Sequence, residues 1–126
     1  MTSTTSPSQQ ELFRFLEDRF GCAQACIVCA RACATRASLV EPGGPPAAES
    51  VRRRAVMCAE VCDATCRVLS EQDLQDETVL RVQVEWCRAV CLECARMFDR
   101  QRGGEKGSRA CRDCARACTD FLAVLG

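Results

Sequence analysis

Apolar residues recur along this chain at intervals of three and four, and no stretch of it alternates with period two. That pattern predicts helices and no strands. The first helical pattern starts near Ser8, a suitable N-cap ahead of Gln9, Gln10 and Glu11. It continues through Leu12, Phe15 and Leu16 to about Val40. Gly21 falls inside it, and a short separate N-terminal helix could end there. Glu41-Pro-Gly-Gly-Pro-Pro46 reads as a loop. A second helix is expected from about Ala47 to Ser70, with Ser70–Gln75 as a short connection. A third is expected from about Asp76 to Gln101, followed by the loop Arg102-Gly-Gly-Glu-Lys-Gly107. The fourth is expected from Ser108, a candidate N-cap, to about Leu125. Residues 1–7 are polar and read as a disordered tail, which leaves 8–126 as a single domain. Four helices with short connections predict an all-α, antiparallel up-down-up-down four-helix bundle.

The cysteines follow the same register. The first helix carries Cys22, Cys26, Cys29 and Cys33, and the second carries Cys58, Cys62 and Cys66. The third carries Cys87, Cys91 and Cys94, and the fourth Cys111, Cys114 and Cys118. Steps of three and four place each set on one face of its helix, the face that meets the other helices. Extending the registers adds Phe15, Val51, Ala55, Leu69, Leu80, Val84, Phe98, Phe121 and Leu125. The expected core is therefore apolar at its ends and cysteine-lined between them.

Composition sharpens this picture. Of 126 residues 48% are hydrophobic, but 13 of those are Cys and 17 are Ala. The larger apolar residues are too few to fill a core unaided, so the thiols, or something they bind, must fill much of it. Lys plus Arg and Asp plus Glu both number 17, which argues against a nucleic-acid binder working through bulk charge. His is absent, which excludes Cys–His and Ser–His catalysis and every His-containing metal site. No stretch reaches the roughly 18 apolar residues of a membrane span. The first ten residues have neither the basic nor the apolar region of a secretory signal, so a cytoplasmic protein is expected. In that reducing compartment cysteine clusters are more often metal ligands or redox centres than disulfides.

Thirteen cysteines on one seam far exceed what simple packing by small hydrophobes accounts for. A disulfide scaffold fits poorly, because neighbouring helical Cβ atoms lie about 5–6 Å apart and a disulfide wants about 3.5–4.5 Å. A thiol redox enzyme needs only one or two reactive cysteines and a substrate pocket. Soft metals are left: Cu(I), Zn(II) or an iron–sulfur cluster. The iron–sulfur spacing is absent. Zinc would build separate Cys₄ units of charge −2 that repel one another inside a bundle. Cu(I) accepts two thiolates, and each ion replaces one thiol proton. With bridging sulfurs the capacity approaches one ion per cysteine, roughly 13. A capacity of that size means storage.

Four motifs carry a resemblance to a known family. They are Cys22-Ala-Gln-Ala-Cys26-Ile-Val-Cys29-Ala-Arg-Ala-Cys33, Cys58-Ala-Glu-Val-Cys62, Cys87-Arg-Ala-Val-Cys91-Leu-Glu-Cys94 and Cys111-Arg-Asp-Cys114-Ala-Arg-Ala-Cys118. In this order, over about residues 10–125, the chain resembles the copper storage proteins, the Csp family of cysteine-rich four-helix bundles. The resemblance implies many Cu(I) ions along the bundle interior, a homotetramer, and the cytosolic branch of the family. It implies that all 13 cysteines are metal ligands and that the protein is no enzyme. Copper itself is the expected partner, exchanged with a copper chaperone or a low-molecular-weight thiol, with no nucleic acid or membrane. Cytosolic members often have more cysteines and a His near the start of the last helix. Here Glu105, Lys106 and Arg109 precede Cys111, and Phe98 and Phe121 stand where a thiol could continue the register.

The chain also suggests where copper passes. The bundle end with loops 41–46 and 102–107 should lie near Cys33, Cys58, Cys94 and Cys111. The opposite end should gather Phe15, Leu69, Leu80, Phe121 and Leu125 as a plug. Copper uptake is therefore expected at the loop end. Met97 there is either a transfer ligand or, the better reading, plain packing, and Met57 is expected to pack. Trp86 should face a neighbouring helix or a subunit interface. Arg52, Arg53 and Arg54, and Glu60, Asp63, Glu85, Glu93 and Asp113, read as solvated helix faces.

Overall fold

The computed structural model describes residues 8–71 and 76–125. The expectations for the tail at 1–7 and for Gln72–Gln75 in the second connection lie outside the described residues. Four helices follow one another: α1 (Gln9–Ser38), α2 (Pro46–Ser70), α3 (Glu77–Asp99) and α4 (Glu105–Leu125). Among the described residues there is no strand, and no helix is long and apolar enough to cross a membrane.

The helix ends follow local chemistry. The Ser8 hydroxyl accepts from the Glu11 amide at 3.0 Å, and the Asp76 carboxylate accepts from the Thr78 amide at 2.8 Å. Each satisfies a donor that the first helical turn leaves unpaired. Pro46 opens α2, where its missing N–H costs nothing. α1 runs unbroken through Gly21, so no separate N-terminal helix exists. A Cβ at Gly21 would meet nothing within 4 Å, and core packing on both sides, by Phe15 before it and Cys22 after it, holds the helix together.

Ser108 does not cap α4, which starts three residues earlier. Its amide donates to the Gly104 carbonyl at 2.9 Å, inside the first turn. Its hydroxyl donates to the Asp99 carboxylate instead, which also takes Arg112. The turn between α3 and α4 is tight. A Cβ on Gly104 would stand 2.3 Å from the Phe98 carbonyl oxygen, so only glycine fits.

α1 packs against α2 and α4, and α3 packs against the same two. Sulfur neighbours give the directions. Cys22 lies 3.8 Å from Cys118, Cys26 lies 3.6 Å from Cys114, and Cys33 lies 3.7 Å from Cys111. Numbers rise on α1 as they fall on α4, so the two are antiparallel. Cys26 meets Cys87 and Cys29 meets Cys91, so α1 and α3 run the same way. Cys62 and Cys58 both reach Cys91, and Cys62 also reaches Cys87, which sets α2 against α3. The bundle is up-down-up-down.

Phe121, Leu69 and Val84 are fully buried at the end away from loops 41–46 and 102–107, with Leu80 close behind. Phe15 and Leu125 pack on them half-buried, and the Phe15 and Phe121 rings lie 5.8 Å apart. Each large side chain buried this way contributes about 1.5–3 kcal/mol. Arg19 completes that end: its guanidinium donates to the Leu69 and Glu71 carbonyls, both at 2.8 Å, closing the C-terminus of α2. At the loop end Phe98 is 1% exposed, and Val51, Ala55, Ala37 and Met97 are buried in the same core cluster.

The charged residues occupy the outside. Arg52 and Arg53 pair with Glu49, and Arg54 with Glu93. Asp63 pairs with Arg67, and Glu93 also with Arg96. Glu60, Glu85 and Asp113 are exposed.

Candidate metal centre

The heptad seam brings twelve of the thirteen cysteines onto the bundle axis. Eleven have 0% exposure and Cys94 has 2%. All thirteen thiols are free. Neighbouring sulfurs stand between 3.4 Å (Cys62–Cys91) and 4.0 Å (Cys58–Cys91) apart, well beyond the roughly 2.05 Å of a disulfide.

The sulfurs form one connected column. From the far end, Cys22 and Cys118 lead to Cys26, Cys87 and Cys114. Next come Cys62, Cys91 and Cys29, then Cys58, Cys33 and Cys111. Cys94 sits beside Cys33 and Cys111 at the loop end. The diagonal helices α1 and α3 have no backbone approach of their own, yet Cys26–Cys87 and Cys29–Cys91 bridge them at 3.8 and 3.9 Å. Sulfur therefore fills the space that leucine fills in an ordinary bundle.

Cys66 is the exception. It is half-buried, and the interior slot of that turn belongs to Thr65, which is 0% exposed. The expectation that Cys66 shares the seam is corrected by helix geometry. From Cys58 and Cys62 the next steps are three and four, to Thr65 and Leu69, both fully buried. Thr65 donates to the Val61 carbonyl at 2.8 Å and accepts from the Gln83 amide at 2.9 Å. Nothing in the cysteine pattern announces this polar layer; the spacing of Leu69 from Cys62 was the available signal.

Three groups of four sulfurs lie mutually within 4.8 Å: Cys26, Cys87, Cys114, Cys118; Cys29, Cys62, Cys91, Cys114; and Cys29, Cys33, Cys58, Cys111. A metal–sulfur bond of about 2.3 Å puts two sulfurs roughly 4.0 Å apart around a trigonal ion and roughly 4.6 Å around a linear one. Small rotamer adjustments open the observed spacings to those values. The groups share Cys29 and Cys114. Three separate Cys₄ zinc units would need twelve cysteines, and the groups hold ten, so the arrangement suits ions joined by bridging thiolates, as in Cu(I) clusters.

Hydrogen bonding divides the thiols into two kinds. Contacts with Cys118 and Cys26 pull the Cys22 thiol down to about 5. Cys58 is pulled below the ordinary thiol range, chiefly through Cys111, and Cys87 chiefly through Cys114. Cys91 and Cys62 are pushed up, chiefly through Cys114, and Cys26 likewise. Replacing a thiol proton by a monovalent cation leaves the charge of this dry column unchanged.

Two methionine expectations part here. Met97 is buried, as packing requires, but Met57 is 56% exposed and does not pack in the interior. It projects from α2 one residue before the buried Cys58, on the outer side. Trp86, 50% exposed, lines the same surface groove as Met57, between α2 and α3.

Comparison with known proteins agrees with this geometry. The copper storage protein family profile matches residues 8–123. A cytosolic copper storage protein from Streptomyces lividans, solved during copper loading with five coppers, is 32% identical, with a TM-score of 0.79. The match covers 86% of this chain and 95% of that one. A histidine-to-alanine variant of the S. lividans protein is 34% identical over 94% of this chain and 98% of its own, with a TM-score of 0.62. The form loaded with 10 copper equivalents is 32% identical over 94% and 93%, with a TM-score of 0.59. A comparison with curated proteins finds no match. A cysteine column on the axis of a four-helix bundle, matched by a family profile along nearly the whole chain, places this protein in the copper storage protein family.

Proposed function

We propose that this protein stores Cu(I) in the cytoplasm, on thiolates along the bundle axis. The observation that carries this reading is the single connected sulfur column with shared members. Each ion takes two or three sulfurs and each sulfur serves more than one ion, so twelve column cysteines hold roughly a dozen ions. The ligands are Cys22, Cys26, Cys29, Cys33, Cys58, Cys62, Cys87, Cys91, Cys94, Cys111, Cys114 and Cys118, with Cys66 at the margin. The column limits free copper and turns nothing over. Copper arrives from and returns to a chaperone or a low-molecular-weight thiol. The chain self-associates, with the tetramer as the state the family resemblance implies. Phe13, Phe20 and Val28, exposed on one stripe of α1, supply an apolar face for it.

An anaerobic Cu(I) titration of the reduced protein against a chromogenic Cu(I) chelator tests the storage reading. A plateau near a dozen ions per chain is expected. A plateau at one to three would overturn it. Sedimentation of the reduced protein tests self-association, and a monomer at micromolar concentration would end that part.

A further inference from the structure

The axis of the bundle is shut at both ends. Phe121, Leu69 and Leu80 fill the far end. Phe98 fills the loop end, where a Cβ added at Gly107 would stand 2.7–3.2 Å from its ring. Cys33, Cys58 and Cys111 behind Phe98 are 0% exposed. A route along the axis requires that ring to leave its place.

The side of the bundle offers another route. A groove of about 310 Å³ runs between α2 and α3, lined by Arg54, Met57, Trp86, Val90, Glu93 and Cys94. Cys94 is the column cysteine with measurable exposure, 2%, and it belongs to both the groove and the column. Met57 brings a second sulfur to the same groove from the opposite helix. Arg54 and Glu93, 3.7 Å apart, span the two helices and balance each other's charge.

We propose that this groove is a lateral copper port, with Met57 as the receiving ligand and Cys94 as the first column thiol. The proposal rests on the storage reading and names how the column is reached, in place of the loop-end route expected from the sequence. A thioether is soft enough for Cu(I) and neutral, so it holds the ion without trapping it. The Trp86 face favours a cation in the same apolar trough. The transfer is a ligand exchange, and copper stays Cu(I). Its bond to the donor's thiolate gives way to a bond to the Met57 sulfur, and that bond breaks in turn as a bond to the Cys94 sulfur forms. The Cys94 thiol proton passes to the departing donor thiolate. From Cys94 the ion moves to Cys33 and Cys111, its column neighbours.

The test is the anaerobic loading rate with Cu(I) supplied as its reduced-glutathione complex, comparing wild type with Met57→Leu and Met97→Leu. Met57 is exposed, so leucine there leaves the fold intact. The expected result is loading several-fold slower in Met57→Leu, an unchanged rate in Met97→Leu, and the wild-type plateau in both. A wild-type rate for Met57→Leu overturns the port, as does equal slowing in both variants. Slowing in Met97→Leu alone also overturns it and places uptake at the loop end. A low plateau in the wild-type protein is a different failure, that of the storage reading, and is read separately from the rate.

Discussion

At the far end of the bundle several large side chains share the axis, and Arg19 ties the last carbonyls of α2 to α1. At the loop end one large ring, Phe98, sits against Gly107. Both ends exclude water from the sulfur column, but by different means. The first closes by area, with redundancy. The second closes by fit, with one ring in a slot that a single methyl would crowd. Closure by area makes stability; closure by fit makes a seal sensitive to small changes.

The largest effect should come from Phe121→Ala. It removes a fully buried ring, and the apo protein should lose about 3–5 kcal/mol in denaturant unfolding. Its copper plateau should stay near wild type, since no column sulfur is touched; a parallel fall in capacity would show that the plug also shapes the column. Arg19→Ala should cost about 1.5–3 kcal/mol by the same measurement, because the Leu69 and Glu71 carbonyls at the end of α2 lose a charged donor. An unchanged midpoint would mean that water replaces the guanidinium without loss. Gly107→Ala should come next. Crowding of the Phe98 ring costs about 1–3 kcal/mol, offset by about 0.5–1 kcal/mol of helix propensity. Phe98→Leu in that background should recover part of the loss, and a more stable single variant would show that the ring moves freely. The smallest effect should be that of Cys66→Ala, with the plateau lowered by one ion at most and stability hardly changed. Mass mapping of the reduced apo protein after brief alkylation should find Cys66 modified first. Early modification of any 0%-exposed column cysteine would contradict the burial described above.

Most of this architecture was legible because one chemical signal repeated in each helix. Steps of three and four fix both a helix and its buried face, so the cysteines announced the bundle, its seam and its metal chemistry together. What was not legible depended on partners distant in sequence. Cys66 stands four residues after Cys62, an acceptable helical step, and only the buried position of Leu69 shows that Thr65 takes the slot. Ser108 has the chemistry of an N-cap, but the tight turn at Gly104 lets α4 begin before it, and Asp99 of α3 claims the hydroxyl. Met57 follows the general habit of methionine to pack, yet the position beside Cys58 points outward on α2. The groove that makes it interesting exists only where α2 and α3 meet.

The Thr65–Gln83 pair ends the sulfur column on the α2–α3 side, one turn short of the plug. Thr65 and Cys are close in size, and the position is already buried and in register. Thr65→Cys would therefore add a rung without refolding the bundle, and the idle thiol of Cys66 shows how near the chain stands to having it. Capacity in such a fold is a whole number that point mutations can raise or lower one step at a time. Selection for more or less stored metal has a short path to follow, with the four-helix frame untouched along the way.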